Sequence, residues 1–426
     1  MMRCIVLSSS LQTSRVLRRD VAPSLFFIKK KRDTVEYMGF LRIITPKFLL
    51  SWYHFSLTFL SALLYRFPSR NLIVIGVTGT NGKSTTVHMI TRIFKEAGFK
   101  TASVSSIRFQ IGDKEWRNEL KMTMPGRFMM QKFLRQAVEA ECEYAVIEVT
   151  SEGILQHRHR FINFHTAVFT NLSPEHIERH GGFENYKKTK GKLFQITKKV
   201  HVINKDDEHA EYFLQFPAEK IYRYNNTVFP VRLKLLGEFN KYNAAAAISV
   251  GRAHGISLEV CTRVVENIKG IPGRMEEVIS EPFRVVVDYA FTPAALEKVY
   301  KTLKPENGKL LCVLGAAGGG RDSWKRPVLG KIAAQHCDTI ILTDEDPYEE
   351  DPMQIINTMA EGTEGKDEKI LDRRKAIKRA MGLASSGDTI VITGKGSEDS
   401  MAIKGGKKIP WDDRQTVREE FQKMDK

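Results

Sequence analysis

The stretch "VIGVTGTNGKSTTVHMI", residues 74–90, constrains the fold more than any other part of the chain. A short apolar run leads into a glycine-bearing turn, and the residues that follow predict a helix over 83–97. A strand, a turn ending in Gly82-Lys83-Ser84 and a helix form a phosphate-binding loop, whose backbone N–H groups and lysine hold phosphate oxygens while the serine reaches Mg²⁺. The general pattern requires glycine where this chain has Val77. The segment therefore predicts ATP binding by a loop with unusual glycine spacing.

Apolar runs of strand length alternate with helical ones from residue 72 onward, which is typical of a parallel α/β sheet. Strands are predicted at "LIVIGV", "YAVIEV", "TAVFTNL" and "VHVIN", and further helices at 127–141 and 183–196. A second series runs through "RVVVDYA", "KLLCVLGAA", "TIILTDE" and "TIVITGK". We predict an α/β protein with a P-loop central domain and mostly parallel sheet at 71–273, followed by a Rossmann-like C-terminal α/β domain at 274–426.

The N-terminal part of the chain has a different composition. Residues 1–37 are basic and poor in acids, which indicates a disordered leader or an over-extended start. Within the next segment, 38–70, the run "FLLSWYHFSLTFLSALLYRF" at 48–67 is long enough to span a bilayer, although His54 and several hydroxyl residues weaken that interpretation. We favour the alternative, a helix that packs on the next domain or lies on the membrane surface.

Net charge and cysteine content limit the classes of binding partner and the cellular compartment that we expect. The chain has 66 basic and 50 acidic side chains, a net charge of +16, which suits nucleic acid, a membrane surface or anionic small molecules. It carries no nucleic-acid-binding fingerprint, so we expect no nucleic-acid partner. Its five cysteines are scattered without a CxxC pair, which indicates reduced thiols in the cytoplasm. We expect a monomer that acts on small molecules.

Candidate metal ligands follow the predicted strands. Glu148 ends "YAVIEV", where parallel sheets present ligands, and "TNLSPEHIERHGGFENYKKTKGKLF" supplies His176, His180 and Lys190. Alone, each has a simpler interpretation, because a strand-end glutamate can pair with a cation and single histidines are more often core or surface residues. Together with Ser84 they offer oxygen and imidazole ligands for a divalent cation bound with ATP.

Many ordered motifs resemble one family. They are "GVTGTNGKST", "EVTSEGILQHR", "TNLSPEHIERHG", "YKKTKGKLF", "LGEFNKYNAAAA", "GRME", "VVVDYAFTPAALEKV", "GGGRDSWKRP", "DEDPY" and "GKGSED". Over residues 72–420 the chain resembles the Mur ligases, the ATP-dependent amide-bond-forming enzymes of peptidoglycan synthesis, and among them the UDP-N-acetylmuramoyl-tripeptide synthetases, which add the third amino acid. The unusual loop is this family's own form, T-G-T-N-G-K-[ST].

The resemblance implies a reaction and a set of site residues. ATP would phosphorylate a substrate carboxylate, and an incoming amine would displace phosphate to form the amide. The implied catalytic residues are Lys83, Glu148, His176 and Lys190, and the implied Mg²⁺ ligands are Ser84, Glu148, His176 and Lys190, the last as a carbamylated lysine. The implied nucleotide-binding residues are Gly79, Thr80, Asn81, Gly82, Lys83, Ser84, Thr85, Asn240, Arg274 and Asp288. Thr123, Thr150, Gln156 and Arg158 match positions that bind the muramoyl acceptor, and Arg321, Gly394 and Glu398 match positions that bind the amino acid. Lys325 and Arg326 belong either to this site or to a solvated helix start.

Four departures bear on the substrates. The residues before the P-loop are too few to build the family's uridine-nucleotide domain, the "TTP" motif becomes Thr123-Met124-Pro125, and Phe291 replaces a histidine beside ATP. In place of "DNPR" the chain has Glu345-Asp346-Pro347-Tyr348, and tyrosine cannot pair bidentately with a distal carboxylate. The acidic run around Glu345 and Asp346 favours a side-chain ammonium, hence a diamino acid such as lysine, unless it is simply a solvated loop.

Three functions follow. We predict an ATP- and Mg²⁺-dependent amide ligase that joins a muramoyl-peptide carboxylate to an amino acid. The alternatives are a folylpolyglutamate-synthetase-like ligase and a nucleotide-binding scaffold at the membrane without turnover.

Overall fold

The computed structural model describes residues 47–120 and 122–424. The predicted leader or over-extended start at residues 1–37 lies outside the described residues. The described residues from His54 onward belong to one compact unit, which contains every sheet discussed below. The four cysteines of the described ranges are buried free thiols.

Helix α1 (Lys47–Leu64) occupies most of the apolar N-terminal run. From His54 onward it buries its smaller polar side chains, since Thr58 and Ser61 are fully buried and bond to backbone carbonyls of the preceding turn. Its large apolar side chains are exposed, with Leu60 51% and Leu64 62% accessible. In the described ranges, no helix is long and apolar enough to cross a membrane.

The larger sheet holds the phosphate-binding loop. Its strands are β1 (Ile73–Thr78), β2 (Thr101–Val104), β3 (Arg108–Ile111), β4 (Lys114–Arg117), β5 (Tyr144–Glu148), β6 (Phe164–Phe169), β7 (Val200–Asn204) and β8 (Lys220–Tyr224). They lie in the order β4-β3-β2-β5-β1-β6-β7-β8. Pairing is parallel from β2 to β8, while β3 and β4 extend the sheet as an antiparallel edge. This mostly parallel sheet confirms the predicted fold class.

Helices cover both faces of this sheet. They are α2 (Lys83–Glu96), α3 (Arg127–Glu139), α4 (Ser151–Leu155), α5 (Ile177–His180), α6 (Phe183–Ile196), α7 (Ala210–Leu214), α8 (Phe239–Ala253) and α9 (Leu258–Asn267). Strand β1 is buried between two cores: Val74 packs on the side of α3 and α6, and Ile75 on the side of α2 and α8. Burial on both faces explains why the strands are continuous apolar runs rather than alternating ones. Gly76 has no side chain because a Cβ would press against the ring of Phe164 at 2.9 Å.

A second sheet forms the C-terminal half. Its strands are β9 (Glu276–Ile279), β10 (Arg284–Val287), β11 (Leu310–Leu314), β12 (Thr339–Leu342), β13 (Asp367–Lys369) and β14 (Thr389–Ile392), in the order β13-β12-β11-β14-β10-β9. Only β9 is antiparallel to its neighbour among these described strands. The remaining elements are α10 (Pro293–Leu303), α11 (Lys325–His336), α12 (Pro352–Ala360), α13 (Arg373–Leu383), the hairpin β15 (Ser400–Ile403) and β16 (Lys407–Pro410), and α14 (Asp413–Met424).

Strand β6 ends earlier than the sequence predicts. The run "TAVFTNL" predicts strand through Leu172, but β6 stops at Phe169. The next two residues turn toward the phosphate-binding loop: the Thr170 hydroxyl donates to the carbonyl of Asn81 at 2.8 Å, and the Asn171 side chain accepts from the Asn81 N–H at 2.9 Å. These polar residues hold the loop instead of extending the sheet.

A buried ion pair joins the last helix to the second sheet. Arg373 donates from Nε and Nη2 to the two carboxylate oxygens of Asp413, each at 2.8 Å, and both side chains are fully buried. The same guanidinium donates to the carbonyls of Thr393 and Asp344 at the ends of β14 and β12. The pair therefore sets the strand ends that border the candidate site.

We expect Asp413→Ala to lower the free energy of unfolding by about 3–5 kcal/mol, because the Arg373 charge would stay buried without its partner. Glu368→Ala is the matched control, since its pair with Arg379 is exposed and its loss is expected to change stability by less than about 1 kcal/mol. Urea denaturation of both variants measures the difference. Equal effects from the two would show that the buried pair has no special role.

Candidate active site

The candidate site is a cavity of about 630 Å³ at the carboxyl ends of β1, β5 and β6, where it is closed by residues of the second sheet's domain. The predicted site residues that line it are Thr80, Asn81, Gly82, Lys83, Ser84, Thr85, Thr123, Glu148, Thr150, Arg158, His176, Lys190, Asn240, Arg274, Asp288, Arg321 and Glu398. Gly79, Gln156, Glu345, Asp346 and Gly394 stand behind this lining. The fold thus gathers predicted residues separated by more than 300 positions around one cavity.

The phosphate-binding loop requires glycine at two positions. Gly79 and Gly82 have φ of 149° and 81°, which L-residues rarely adopt, and a Cβ at either would collide with the side chains of Thr170 and Asn243 respectively. Gly82 leads directly into α2, so the first backbone N–H groups of this helix face the cavity. These groups form an anion site of the kind that holds phosphate.

Glu148 is fixed by two donors at the end of β5. Its Oε2 accepts from the Ser84 hydroxyl at 2.7 Å and from the Ser106 N–H at 2.9 Å. The hydroxyls of Ser84 and Ser106 lie a further 2.7 Å apart. This places one carboxylate and one hydroxyl side by side at the phosphate site. Mg²⁺ usually takes one or two carboxylates together with substrate phosphates and water, so this donor pair fits it. In the described ranges, no group of three or more His, Cys, Asp or Glu side chains converges as a metal cage.

Two lysines lie in this region of the cavity, Lys83, which is partly buried, and Lys190, which is buried. Lys83 Nζ donates to the Thr80 carbonyl at 2.7 Å and lies 3.9 Å from Glu148 Oε1. Burial lowers its pKa, although Glu148 opposes the shift. Lys190 Nζ donates to the Gly79 carbonyl at 2.7 Å, and burial together with the charge of Lys83 lowers its pKa well below the ordinary value. A lowered pKa raises the fraction of lysine in the neutral amine form, which is the form that reacts with CO₂.

His176 lies between β6 and α5 in a left-handed conformation, with φ of 56°. Burial, and then the charges of Arg321 and Lys325, lower its pKa to about 2. A neutral imidazole is the form that binds metal. The neighbouring His180 does not line the cavity, and its Nε2 instead lies 3.1 Å from the Ser151 hydroxyl.

The joint between the domains carries the predicted Arg274 and Asp288. Arg274 donates to the Ser106 hydroxyl at 3.0 Å, and its guanidinium stacks 4.2 Å above the ring of Tyr289. Asp288 accepts from the backbone N–H groups of Met275 and Ala290, both at 2.7 Å, so it stabilises the joint itself. Asn240 donates to the carbonyl of Leu236 within the loop that leads into α8.

The residues predicted to bind the muramoyl acceptor form a local network of hydrogen bonds. The Thr150 hydroxyl caps α4 by accepting from the Gly153 N–H at 3.1 Å. Arg158 donates to Gln156 Oε1 at 2.6 Å and also to the Met124 carbonyl. Gln156 thus orients an arginine that lines the cavity rather than lining it itself.

The residues predicted to bind the amino-acid substrate form two layers. Arg321 and Glu398 line the cavity, whereas Glu345 and Asp346 are buried behind them. Lys395 connects the layers, since its Nζ lies 3.0 Å from Asp346 Oδ1 and 2.6 Å from Glu398 Oε2. The interpretation of Glu345 and Asp346 as a solvated loop is therefore wrong.

Farther along the acidic run, the carboxylates have partners of their own. Glu349 accepts from the Gly405 N–H at 2.8 Å, Glu350 pairs with Arg326 at 2.7 Å, and Asp351 caps α12. These three carboxylates are engaged in the fold, and none of them lines the cavity.

Comparison with known proteins agrees with this geometry. The sequence model of the Mur ligase middle domain matches residues 77–226, and that of the Mur ligase glutamate ligase domain matches residues 273–396. The UDP-N-acetylmuramyl-tripeptide synthetase of Roseiflexus sp. (strain RS-1) is 35% identical over 410 residues, which cover 84% of this chain and 80% of the relative. This chain belongs to the Mur ligase family. It is accordingly an ATP-dependent, amide-bond-forming ligase of peptidoglycan precursor synthesis.

Three further proteins show how this Mur ligase compares with its relatives. The UDP-N-acetylmuramoyl-L-alanyl-D-glutamate–2,6-diaminopimelate ligase of Aquifex aeolicus (strain VF5) is 37% identical over 380 residues, covering 83% of this chain and 78% of the relative. A solved structure with the same protein name superposes with a TM-score of 0.56 at 33% identity and covers 83% of this chain and 79% of that one. A folylpolyglutamate synthase of Mycobacterium tuberculosis, solved with ADP and AMPPCP, has a TM-score of 0.65 at 18% identity over 78% of this chain and 91% of that one. The last comparison shows a shared fold only.

Sequence reasoning missed several residues of the Mur ligase cavity. Ser106 and Tyr289 line it and connect the predicted residues, yet a serine after a strand and a tyrosine after an aspartate carry no signal of their own. Lys325 and Arg326 are 3% and 7% exposed, so the interpretation as a solvated helix start is wrong. The polar run "GGGRDSWKRP" was the one available sign that this segment is engaged in the fold.

The stability of this Mur ligase should depend on Glu345. Burial, and then the nearby Asp346, raise the pKa of Glu345 to about 7 from an ordinary 4.5. The folded protein therefore keeps a proton that the unfolded chain has released, so this contribution to stability is complete below about pH 4.5 and is lost as pH rises through 7. In the wild type, this effect should lower the free energy of unfolding by up to about 3 kcal/mol as pH rises from about 4.5 through 7. We expect Glu345→Gln to abolish that decrease.

Urea denaturation at a series of pH values measures this effect. Glu306→Gln, at an exposed carboxylate, is the control and should keep the wild-type pH profile. A Glu345→Gln profile parallel to that of the wild type would contradict the prediction.

Proposed function

We propose that this Mur ligase activates the carboxylate of a muramoyl peptide as an acyl phosphate and joins it to a diamino acid. The observation that carries the proposal is the arrangement of Ser84, Glu148 and Lys190 around the phosphate-binding loop, at the same cavity as Arg321 and Glu398. One end of the cavity suits phosphate and a divalent cation, and the other end suits a zwitterion.

The reaction has two balanced steps. An oxygen of the acceptor carboxylate attacks the γ-phosphorus of ATP, forms a C–O–P linkage and displaces ADP. The amine then attacks the acyl carbon, phosphate leaves with the electrons of the C–O bond, and the amine loses one proton. Most of the catalysis lies in aligning two anions and offsetting their charge.

Residues of this chain would perform those tasks. Lys83 and the amides at the start of α2 would hold the transferred phosphoryl group, and Arg274 would offset charge from the domain joint. Ser84, Glu148 and His176 would hold Mg²⁺, which would supply further charge neutralisation at the phosphates. A carbamate formed on Lys190 would convert a repelling cation into an anion beside this metal. The lowered pKa of Lys190 supports that modification, because CO₂ adds only to the neutral amine.

The diamino acid is inferred from the charges near Arg321. This partly buried guanidinium can hold an α-carboxylate, and the carboxylates of Glu398 and Asp399 line the same cavity. Two carboxylates can receive two ammonium groups, whereas an amino acid with an acidic side chain would meet like charge. The tyrosine at position 348 offers a neutral hydroxyl at this end.

A coupled assay tests the function. Purified protein is given ATP, Mg²⁺, a muramoyl dipeptide with or without UDP, and one amino acid from lysine, ornithine, meso-diaminopimelate, glutamate or alanine, and the product mass is measured. ADP release with a diamino acid product supports the proposal. Turnover only with folate and glutamate would replace it by the folylpolyglutamate-synthetase-like function, and absence of turnover with every pair would favour the scaffold.

Lys190→Ala should lower kcat by about a hundredfold or more, because it removes a charged group from the transition-state environment. Lys188→Ala is the control, since it removes an exposed lysine from the same helix and should leave kcat unchanged. Carbon-13 NMR with labelled bicarbonate checks the modification, and a carbamate signal is expected in the wild type and absent in Lys190→Ala. Wild-type kcat in Lys190→Ala would contradict the assigned role.

We also propose that α1 rests on a membrane surface. The exposed Leu60, Leu63 and Leu64 lie beside the exposed basic residues Arg66 and Arg70, a combination that suits an anionic lipid surface. The triple variant Leu60→Ser, Leu63→Ser, Leu64→Ser should weaken co-sedimentation with vesicles that contain an anionic phospholipid by at least about tenfold. Leu383→Ser, at an exposed leucine of α13, should bind as the wild type does. Equal binding by the triple variant and the wild type would exclude this surface.

A further inference from the structure

The two domains meet at His176 in an unusual way. His176 belongs to the central domain, but the chain on either side of it is held by a segment of the C-terminal domain, Asp322–Lys325. On the C-terminal side of His176, Asp322 accepts from the Ile177 N–H through Oδ2 and from the Glu178 N–H through Oδ1, each at 3.1 Å.

On the N-terminal side of His176, the chain is held by an ion pair. Lys325 Nζ lies 3.0 Å from Glu175 Oε1, and both side chains are only 4% exposed. The same ammonium lies 4.9 Å from the ring centre of Phe291. Asp322 is equally buried, at 3% exposure, so these contacts are the buried part of the domain interface rather than surface pairs.

His176 needs this support because of its local structure. Its φ of 56° is costly for a residue other than glycine, by about 1 kcal/mol or more. Helix α5 has only four residues, and no side chain of its own caps its start. Two of its first N–H groups would be left without acceptors if Asp322 were removed. The Asp322 carboxylate therefore stabilises the conformation that points the His176 imidazole into the cavity.

We propose that Asp322 and Lys325 are positioning residues for His176, so that the metal site of the central domain is complete only when the C-terminal domain is docked on it. This inference rests on the proposed role of His176 as a metal ligand and goes beyond it, since it makes assembly of the metal site depend on domain closure. Docking the C-terminal domain then aligns His176 and brings Arg321 to the cavity in one movement. Phosphoryl transfer in the open enzyme, where water has access, is thereby suppressed.

The test measures metal binding rather than turnover. Mn²⁺ serves as the probe, and its affinity for the full-length enzyme with a non-hydrolysable ATP analogue is measured by electron paramagnetic resonance. We expect Asp322→Ala to weaken Mn²⁺ binding by about tenfold, within the range for groups that orient metal ligands. Asp322→Asn keeps one acceptor oxygen and should restore part of the affinity. Asp372→Ala is the matched control, because Asp372 caps α13 in the same domain and does not line the cavity.

A double-mutant cycle separates the possible outcomes. If Asp322 acts through His176, the variant that carries both Asp322→Ala and His176→Ala should bind Mn²⁺ no more weakly than His176→Ala alone. Wild-type affinity in Asp322→Ala, or losses that add in the double variant, would overturn the inference even if the enzyme is an active ligase. Wild-type affinity in His176→Ala would overturn it as well, by removing His176 from the metal site. Absence of ligase turnover alone would bear on the proposed function and not on this result. Thermal unfolding of each variant confirms that it is folded.

Discussion

The parallel pairing of β1 between β5 and β6 is the constraint on which the rest of the site depends. In this register Val77 lies beside Glu148 on one side, and Thr78 lies beside Phe169 on the other. The phosphate-binding loop, the strand-end carboxylate and the Thr170–Asn171 turn therefore leave the sheet at the same edge. A shift of one residue would turn the Glu148 side chain to the opposite face of the sheet and separate it from Ser84.

The cavity at this edge of the sheet contains several charged side chains. Lysine and arginine side chains line the cavity together with carboxylates such as Glu148 and Glu398, and burial lowers the pKa of both Lys83 and Lys190. Burial lowers these two pKa values because a charged ammonium group is costly in a medium of low dielectric constant unless an opposite charge lies close to it. The Glu148 carboxylate supplies such a charge and opposes the shift at both lysines.

Sequence reasoning succeeded where residues act through local pattern. Helix α6 lies at Phe183–Ile196 and β7 at Val200–Asn204, as their periodicity predicts, because apolar spacing alone decides those elements. It failed where a polar residue bonds to a residue distant in the sequence. Thr170 and Asn171, for example, bond to the phosphate-binding loop at Asn81 instead of continuing strand β6. The burial of Lys325 was equally hidden, since its partner Glu175 is 150 positions away. Family motifs gathered the site residues, but they did not distinguish Arg321, which lines the cavity, from Glu345, which stands behind it.

The missed residues are the ones that connect the two ends of the cavity. From Ser84 a chain of contacts passes through Ser106 to Arg274, whose guanidinium stacks on Tyr289. The Tyr289 hydroxyl donates to Glu398 at 3.0 Å, at the end assigned to the amino acid. Each link is ordinary in strength, but every member is at least half-buried, so displacement of one member leaves its neighbours without partners. The phosphate end and the amino-acid end are therefore parts of one polar network that crosses the domain joint, and a rotation of the C-terminal domain would break it between Ser106 and Arg274. Closure of the two domains then assembles both ends together, which suits the proposed reaction, in which an acyl phosphate would have to meet the amine before water does.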